Sequence, residues 1–264
     1  MSDFQAARLS MVQSQLHPMG VIDEAVLDAF SALPREVFVP QMAAATAYTD
    51  SAIDLGRGRV LPAPLMVARM MQALHLTSND HVLVVGSGTG YTAAVVASLV
   101  ADVTDYEPDA EFEPAARAAF QSLEISNVTR VSGPPIHIPK RADGYDTILF
   151  DGAVAELPYD IMPYLKRGGR MAALVIPENA AVGQVYLVQK TMAGESLAQP
   201  LFDSYAPYVP GFAPARRFGD PSRGWREGRG DRSAAHPRGA RRPRSRGCRR
   251  SRSGGIPSHS ARSG

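Results

Sequence analysis

The chain has 264 residues, 45% of them apolar, with a formal net charge of +2 and a single cysteine, Cys248. That length and apolar share suffice for one sizeable core with a small appendage, and no run approaches the ~18 apolar residues of a membrane span. A lone cysteine excludes an intramolecular disulfide framework and a cysteine-based zinc site, and it fits a reducing compartment. The opening MSDFQAARLS lacks the basic start and apolar run of a secretory signal, so the expectation is a cytoplasmic protein with no membrane association.

The small net charge is the sum of two unlike parts. Residues 216–264 carry 15 Arg against only Asp220, Glu227 and Asp231, net +12, which leaves residues 1–215 at net −10. From Pro214 onward the chain is built of Arg, Ser, Gly and Pro, with Phe218, Trp225 and Ile256 as its only large apolar residues, too few to offset chain entropy by burial. Two regions are therefore expected: a folded domain over 1–213 and a disordered basic tail over 214–264. The tail alone offers a route to nucleic acid, by neutralising phosphates, and this ranks last among the candidate partners because the body is acidic. The tail also holds the only Trp and the only Cys, a change of vocabulary that a shifted reading frame in GC-rich DNA would produce.

In chain order, Asp3 to Leu16 and Asp23 to Leu33 carry apolar residues at helical spacing, with Asp23 placed as a cap and Pro34 as a stop. A third helix starts at Pro64 and runs through Met66, Val67, Met70, Met71 and Leu74, with proline in its first turn. The middle then alternates short apolar runs with amphipathic helices, the rhythm of a parallel sheet. Strands are expected at Val82–Val85, Val103–Glu107, Asn127–Val131 and Tyr145–Phe150, with helices at Gly90–Val100 and Asp109–Leu123. A short helix near Tyr159–Leu165 leads to strands at Arg170–Ile176, Gln184–Lys190 and Pro200–Tyr205. The lack of long helices between these last strands predicts an antiparallel finish to a mostly parallel sheet.

The strongest chemical signal is Val82-Leu83-Val84-Val85-Gly86-Ser87-Gly88-Thr89-Gly90-Tyr91, a buried strand that breaks into a glycine turn and opens a helix. Glycines allow positive φ and close approach of a ligand to the backbone. The dinucleotide fingerprint wants a small residue where Tyr91 stands, which weighs against a pyrophosphate. Glu107 ends the next strand, where a carboxylate accepts the two hydroxyls of a ribose. Turn and acid together point to an adenosyl ligand, with Gly86, Ser87, Gly88, Thr89, Gly90 and Glu107 as its contacts.

Several further segments then give a resemblance. Met11-Val12-Gln13-Ser14-Gln15-Leu16, Leu33-Pro34-Arg35-Glu36-Val37-Phe38-Val39-Pro40, Ala47-Tyr48-Thr49-Asp50 and Met66-Val67-Ala68-Arg69-Met70 resemble, in order, the signatures of protein-L-isoaspartate O-methyltransferases. Gly88-Thr89-Gly90-Tyr91-Thr92-Ala93-Ala94 is similar to their cofactor loop. The resemblance covers most of residues 8–213. It implies the Rossmann-like α/β fold of S-adenosylmethionine-dependent methyltransferases, with a seven-stranded, mostly parallel sheet. It implies S-adenosyl-L-methionine as cofactor and isoaspartyl-containing proteins or peptides as substrate, methylated on a carboxylate for protein repair. A carboxylate of pKa near ~4 is already an anionic nucleophile at pH 7, so no catalytic base is assigned. His17, His75, His81 and His137 read as packing, capping or surface residues, and no metal is expected.

The family's substrate loop resembles Gly-Gln-Thr-Ile-Ser-Gln-Pro, and here it reads Gly58-Arg59-Val60-Leu61-Pro62-Ala63-Pro64. Pro62 and Ala63 are assigned to substrate contact, with Pro62 in the place of a hydroxyl and Val60 in that of a threonine. Val84 stands where an acid usually helps hold the cofactor's amino-acid end, and Pro134 where an acid meets the adenine amine. Asp151, just after the fourth strand, is assigned to the substrate side as a compensating acceptor, with an exposed cap as its other reading. Two alternatives follow: a divergent methyltransferase with another acceptor, and a noncatalytic binding protein on the same fold.

Overall fold

The computed structural model describes residues 3–214; the Arg-rich segment and the expectations placed on it lie outside the described residues, apart from Pro214. The chain opens with α1 (Asp3–Met11), which continues through a wider π turn, Val12–Leu16, into a 3-10 turn, His17–Met19. One helix was expected to Leu16. Pro18 has no N–H, and its ring crowds the carbonyl one turn back, so the regular α ladder cannot run up to it. In α2 (Glu24–Ala32) the Val26 N–H donates to Asp23 Oδ1 at 3.2 Å, the expected cap.

A hairpin not foreseen from the sequence follows, β1 (Ile53–Gly56) and β2 (Arg59–Leu61), paired antiparallel. Its turn runs through Gly56, Arg57 and Gly58, all at positive φ. Next comes α3 (Pro64–Leu74), whose Gln72 Oε1 accepts from the Ile22 and Asp23 amides at 2.7 and 3.0 Å and so ties the N-terminal helices to the domain.

The main sheet contains β3 (His81–Val85), β4 (Asp102–Glu107), β5 (Val128–Ser132), β6 (Tyr145–Val154), β7 (Leu165–Val175), β8 (Gly183–Lys190) and β9 (Ser196–Ser204). Their order is β5-β4-β3-β6-β7-β8-β9, with β3 to β7 parallel and β8 antiparallel to both neighbours. The mostly parallel, seven-stranded sheet with an antiparallel finish is therefore present. α4 (Tyr91–Ala97) joins β3 to β4, and α5 (Glu113–Ser122) joins β4 to β5. The chain leaves β3 in one direction, returns to its other side as β6, and so opens a crevice at the carboxyl ends of these strands.

Alternate residues of the central strands feed two cores, as a two-residue strand repeat requires. Val82, Val84, Val103, Leu149 and Leu174 pack with the buried residues of all five helices. Leu83, Val85, Tyr106, Ile148 and Phe150 pack beneath irregular chain that supplies Ile138, Ile161, Met162 and Val209. The expected helix near Tyr159–Leu165 shrinks to a 3-10 turn, Met162–Tyr164, because Pro158 and Pro163 both lack the donor a helix needs. β6 outruns its expected end at Phe150 because the returning chain supports it: Ala153 N–H donates to Pro207 O, and Ala153 O accepts from Val209 N–H, both at 2.9 Å. Among the described residues no helix is long and apolar enough to cross a membrane.

Candidate active site

The glycine turn hangs between the carboxyl end of β3 and the start of α4. Gly86, Gly88 and Gly90 all have positive φ, at 85°, 58° and 95°. Gly86 N–H donates to Tyr106 O at 2.8 Å, which holds the turn against β4. A Cβ on Gly90 would lie 2.6 Å from Phe120 Cζ, so this glycine also lets α4 start close against α5. Ser87 Oγ donates to Asp105 Oδ1 at 2.6 Å, and Thr89 Oγ1 donates to the Phe38 carbonyl at 2.6 Å. Both hydroxyls predicted to meet a ligand are thus engaged in holding the turn.

Glu107, at the end of β4, lies beside this turn as expected, and it is fully buried rather than solvated. Gly88 N–H donates to its Oε2 at 2.7 Å, and Asp109 N–H to its Oε1 at 3.0 Å. The remaining acceptor capacity is taken by Arg59 of the hairpin, whose Nη1 meets Oε1 and whose Nη2 meets Oε2 at 2.9 Å. The same Nη2 also donates to Gly86 O at 2.7 Å. The sequence flagged Glu107 but passed over Arg59, 48 positions away and inside a loop read only for its lost hydroxyls. A second overlooked cation, Arg130 of β5, reaches back across β4 to Asp105, Ser87 Oγ and Gly88 O. Burial holds the Asp105 carboxyl above the usual range, while Arg130 and Ser87 pull it down.

The blocks that carried the family resemblance converge on the other side of the turn. Arg35 is fully buried; its Nη2 donates to Pro62 O at 2.6 Å, and its guanidinium lies 4.7 Å from the centre of the Tyr91 ring. Tyr48 Oη accepts from Arg35 N–H at 3.2 Å and donates to Glu36, and Gln15 Nε2 donates to Tyr48 O at 3.0 Å. Phe38 meets the Tyr91 ring edge-on at 5.5 Å. Segments scattered over residues 11–50 therefore form one brace beneath the start of α4.

Pro62 is buried and Ala63 half-buried, at the mouth of α3, where they give the loop an apolar surface. Asp151 departs from the alternative reading as an exposed cap: it is 3% exposed and lies within β6, where the pairing with β7 shifts between Leu149 and Ala153. The Thr92 hydroxyl lies near it, but neither Asp151 oxygen makes a hydrogen bond of ordinary geometry. Burial pushes its pKa up to about 7 against the opposing pull of Thr92, Arg35 and Arg59. Val84 is fully buried in the helix-side core, and Pro134 precedes a 3-10 turn, Pro135–His137.

The model of the family described as Protein-L-isoaspartate(D-aspartate) O-methyltransferase matches residues 7–210. A protein-L-isoaspartate O-methyltransferase of Methylorubrum extorquens (strain PA1) is 40% identical over 185 residues, covering 70% of this chain and 79% of that protein. One from Koribacter versatilis (strain Ellin345) is 33% identical over 219 residues, covering 82% and 97% respectively. Among solved structures, a protein-L-isoaspartate O-methyltransferase superposes with a TM-score of 0.67 at 23% identity, over 78% of this chain and 66% of that one. Another, from Plasmodium falciparum in complex with S-adenosyl-L-homocysteine, gives 0.65 at 18% identity, over 76% and 97%. These two likenesses establish the fold. With the family model spanning nearly all the described residues and relatives above 30% identity, the chain belongs to the protein-L-isoaspartate(D-aspartate) O-methyltransferase family.

Proposed function

We propose that the chain transfers a methyl group from S-adenosyl-L-methionine to the free carboxylate of L-isoaspartyl residues in damaged proteins, in the cytoplasm. The observation that carries this reading is the juxtaposition of the glycine turn with the buried Glu107 carboxylate at the carboxyl ends of adjacent parallel strands. A strand-end acid and a glycine turn are the elements that fit an adenosyl group, with Glu107 taking the ribose hydroxyls. Glu107 has the right chemistry, and its acceptor sites are held by Arg59 and two backbone amides.

When bound, the sulfonium supplies the methyl group, its C–S bond breaking as the carboxylate oxygen forms the new C–O bond. The acceptor is already ionised at neutral pH, so the chain's residues need only position the reactants and exclude water. Gly86 to Gly90 would present backbone to the ligand, and Glu107 would fix its ribose. Pro62 and Ala63 would form a dry wall for the acceptor. Asp151, buried near Thr92, Arg35 and Arg59, would face the reacting groups as an acceptor.

The test is incubation with labelled S-adenosyl-L-methionine and two peptides of one sequence, one with L-isoaspartate and one with aspartate. Base-labile label on the first alone is the expected result. Bound S-adenosyl-L-homocysteine with no transfer to either peptide would return the acceptor to another carboxylate.

A further inference from the structure

The acid that a ribose would need is already occupied. Glu107 receives two donors on each oxygen, which uses the full acceptor capacity of a carboxylate. The donors from Gly88 and Asp109 are backbone amides fixed by the turn and the strand end. Arg59 is the one side-chain donor among them. Its own side chain is 6% exposed and that of Glu107 is 0% exposed, so the pair is withdrawn from solvent.

Arg59 does not stand alone. Its hairpin is laid over the crevice like a strap. Leu55 of β1 lies so near the turn that a Cβ on Gly88 would come within 2.9 Å of its Cδ1. Arg57, in the hairpin turn, pairs with Asp109 at 2.8 Å, a second clasp on the loop that follows β4. The Arg59 guanidinium also lies 5.6 Å from the centre of the Phe112 ring beyond that loop. Removing Arg59 alone would leave the buried Glu107 charge short of a partner and cost stability, so the pair also helps to hold the crevice together. Arg59 is at the same time placed as a competitor for the ligand.

We propose that Arg59 is a latch that sets the affinity of the crevice for its adenosyl cofactor, because its guanidinium and the ribose hydroxyls compete for the Glu107 carboxylate. This rests on the adenosyl reading above. Cofactor entry requires Arg59 to leave Glu107 and Gly86 O, so the observed affinity is the intrinsic one reduced by the fraction of molecules with the latch open. Arg59→Gln keeps a polar side chain but removes the charge and the bidentate fork. It leaves the Glu107 carboxylate short of donors, which the ribose hydroxyls then supply. Arg59→Lys keeps the charge and loses the fork, so it falls between the two.

The experiment is titration of the full chain with S-adenosyl-L-homocysteine by calorimetry, for the wild type, Arg59→Lys and Arg59→Gln, alongside thermal unfolding with and without that ligand. The affinity should rise in that order, by about tenfold or more from wild type to Arg59→Gln. The ligand-induced rise in unfolding temperature should be largest for Arg59→Gln. Should that variant fail to fold, Arg59→Lys carries the comparison. Equal or weaker binding by the folded variants than by the wild type overturns the latch while leaving the adenosyl reading intact. Absence of binding in all three proteins removes both.

Discussion

Thr89 and Phe38 are 51 positions apart, yet the Thr89 hydroxyl donates to the Phe38 carbonyl at 2.6 Å. One belongs to the glycine turn and the other to the N-terminal Leu33–Pro40 block. Their bond explains why an extension outside the sheet accompanies the turn: it supplies an acceptor that fixes the second half of the turn. The contact is buried, with Thr89 8% exposed.

Thr89→Val removes the donor while keeping the shape, and the Phe38 carbonyl loses that partner. The expected cost is about 1–3 kcal/mol, read from urea unfolding. Binding of S-adenosyl-L-homocysteine should weaken in parallel, because the turn loses its brace. Unchanged stability and binding would show that another donor takes over the Phe38 carbonyl.

Asp151 predicts a pH dependence of stability. Its folded pKa of about 7 lies above the ordinary 3.8, mainly through burial. Between those values the folded state holds a proton that the unfolded chain has released, so stability falls as pH rises from about 4 to about 7 and levels off above it. The drop attributable to this group is on the order of 4 kcal/mol. Asp151→Asn cannot ionise and should flatten that part of the profile in denaturant melts at several pH values. An identical slope in wild type and variant would place the proton uptake elsewhere.

Arg35 is one of the cations that hold Asp151 down, and it also anchors Pro62 O. Arg35→Ala should therefore raise the Asp151 titration above about 7, followed by carbon NMR of the labelled carboxyl. It should also destabilise the fold by about 3 kcal/mol or more, through the cavity and the abandoned Pro62 carbonyl. Arg35→Lys keeps the charge and loses the reach to Pro62. It should restore most of the Asp151 titration while leaving the KM for an isoaspartyl peptide raised.

Gly90 combines a φ of 95° with a Cβ position 2.6 Å from the Phe120 ring. Gly90→Ala should cost about 2–4 kcal/mol, part from the backbone and part from the overlap. Adding Phe120→Leu should recover the overlap portion and leave the backbone portion, separable by a double-mutant cycle in thermal melts. Full recovery would mean that the left-handed turn contributes no strain.

Much of the architecture was legible because each central strand is a continuous apolar run bounded by breakers, and because crossovers impose an alternation of strand and helix. The reading slipped in two ways, where a distant segment pairs with a strand and where local prolines forbid an expected helix. β6 continues past Phe150 because residues 207–209 pair with it, and β7 starts early because Pro158 and Pro163 prevent the expected helix. The hairpin of β1 and β2 escaped notice because its strands have four and three residues, too short for any period to register.

The site divides along the same line. By itself the sequence determined the glycine turn, the acid at the end of β4, and family membership, since each is carried by short contiguous stretches whose residue types suffice. Only the tertiary structure decided what those groups touch. It brought Arg59 onto Glu107, Arg130 onto the turn, and Arg35 between Pro62 and Tyr91, and it buried Asp151 near Thr92, Arg35 and Arg59. Nothing in the spacing of an arginine and a glutamate 48 positions apart reveals their pairing, because that contact depends on how a short hairpin folds back over the strand ends.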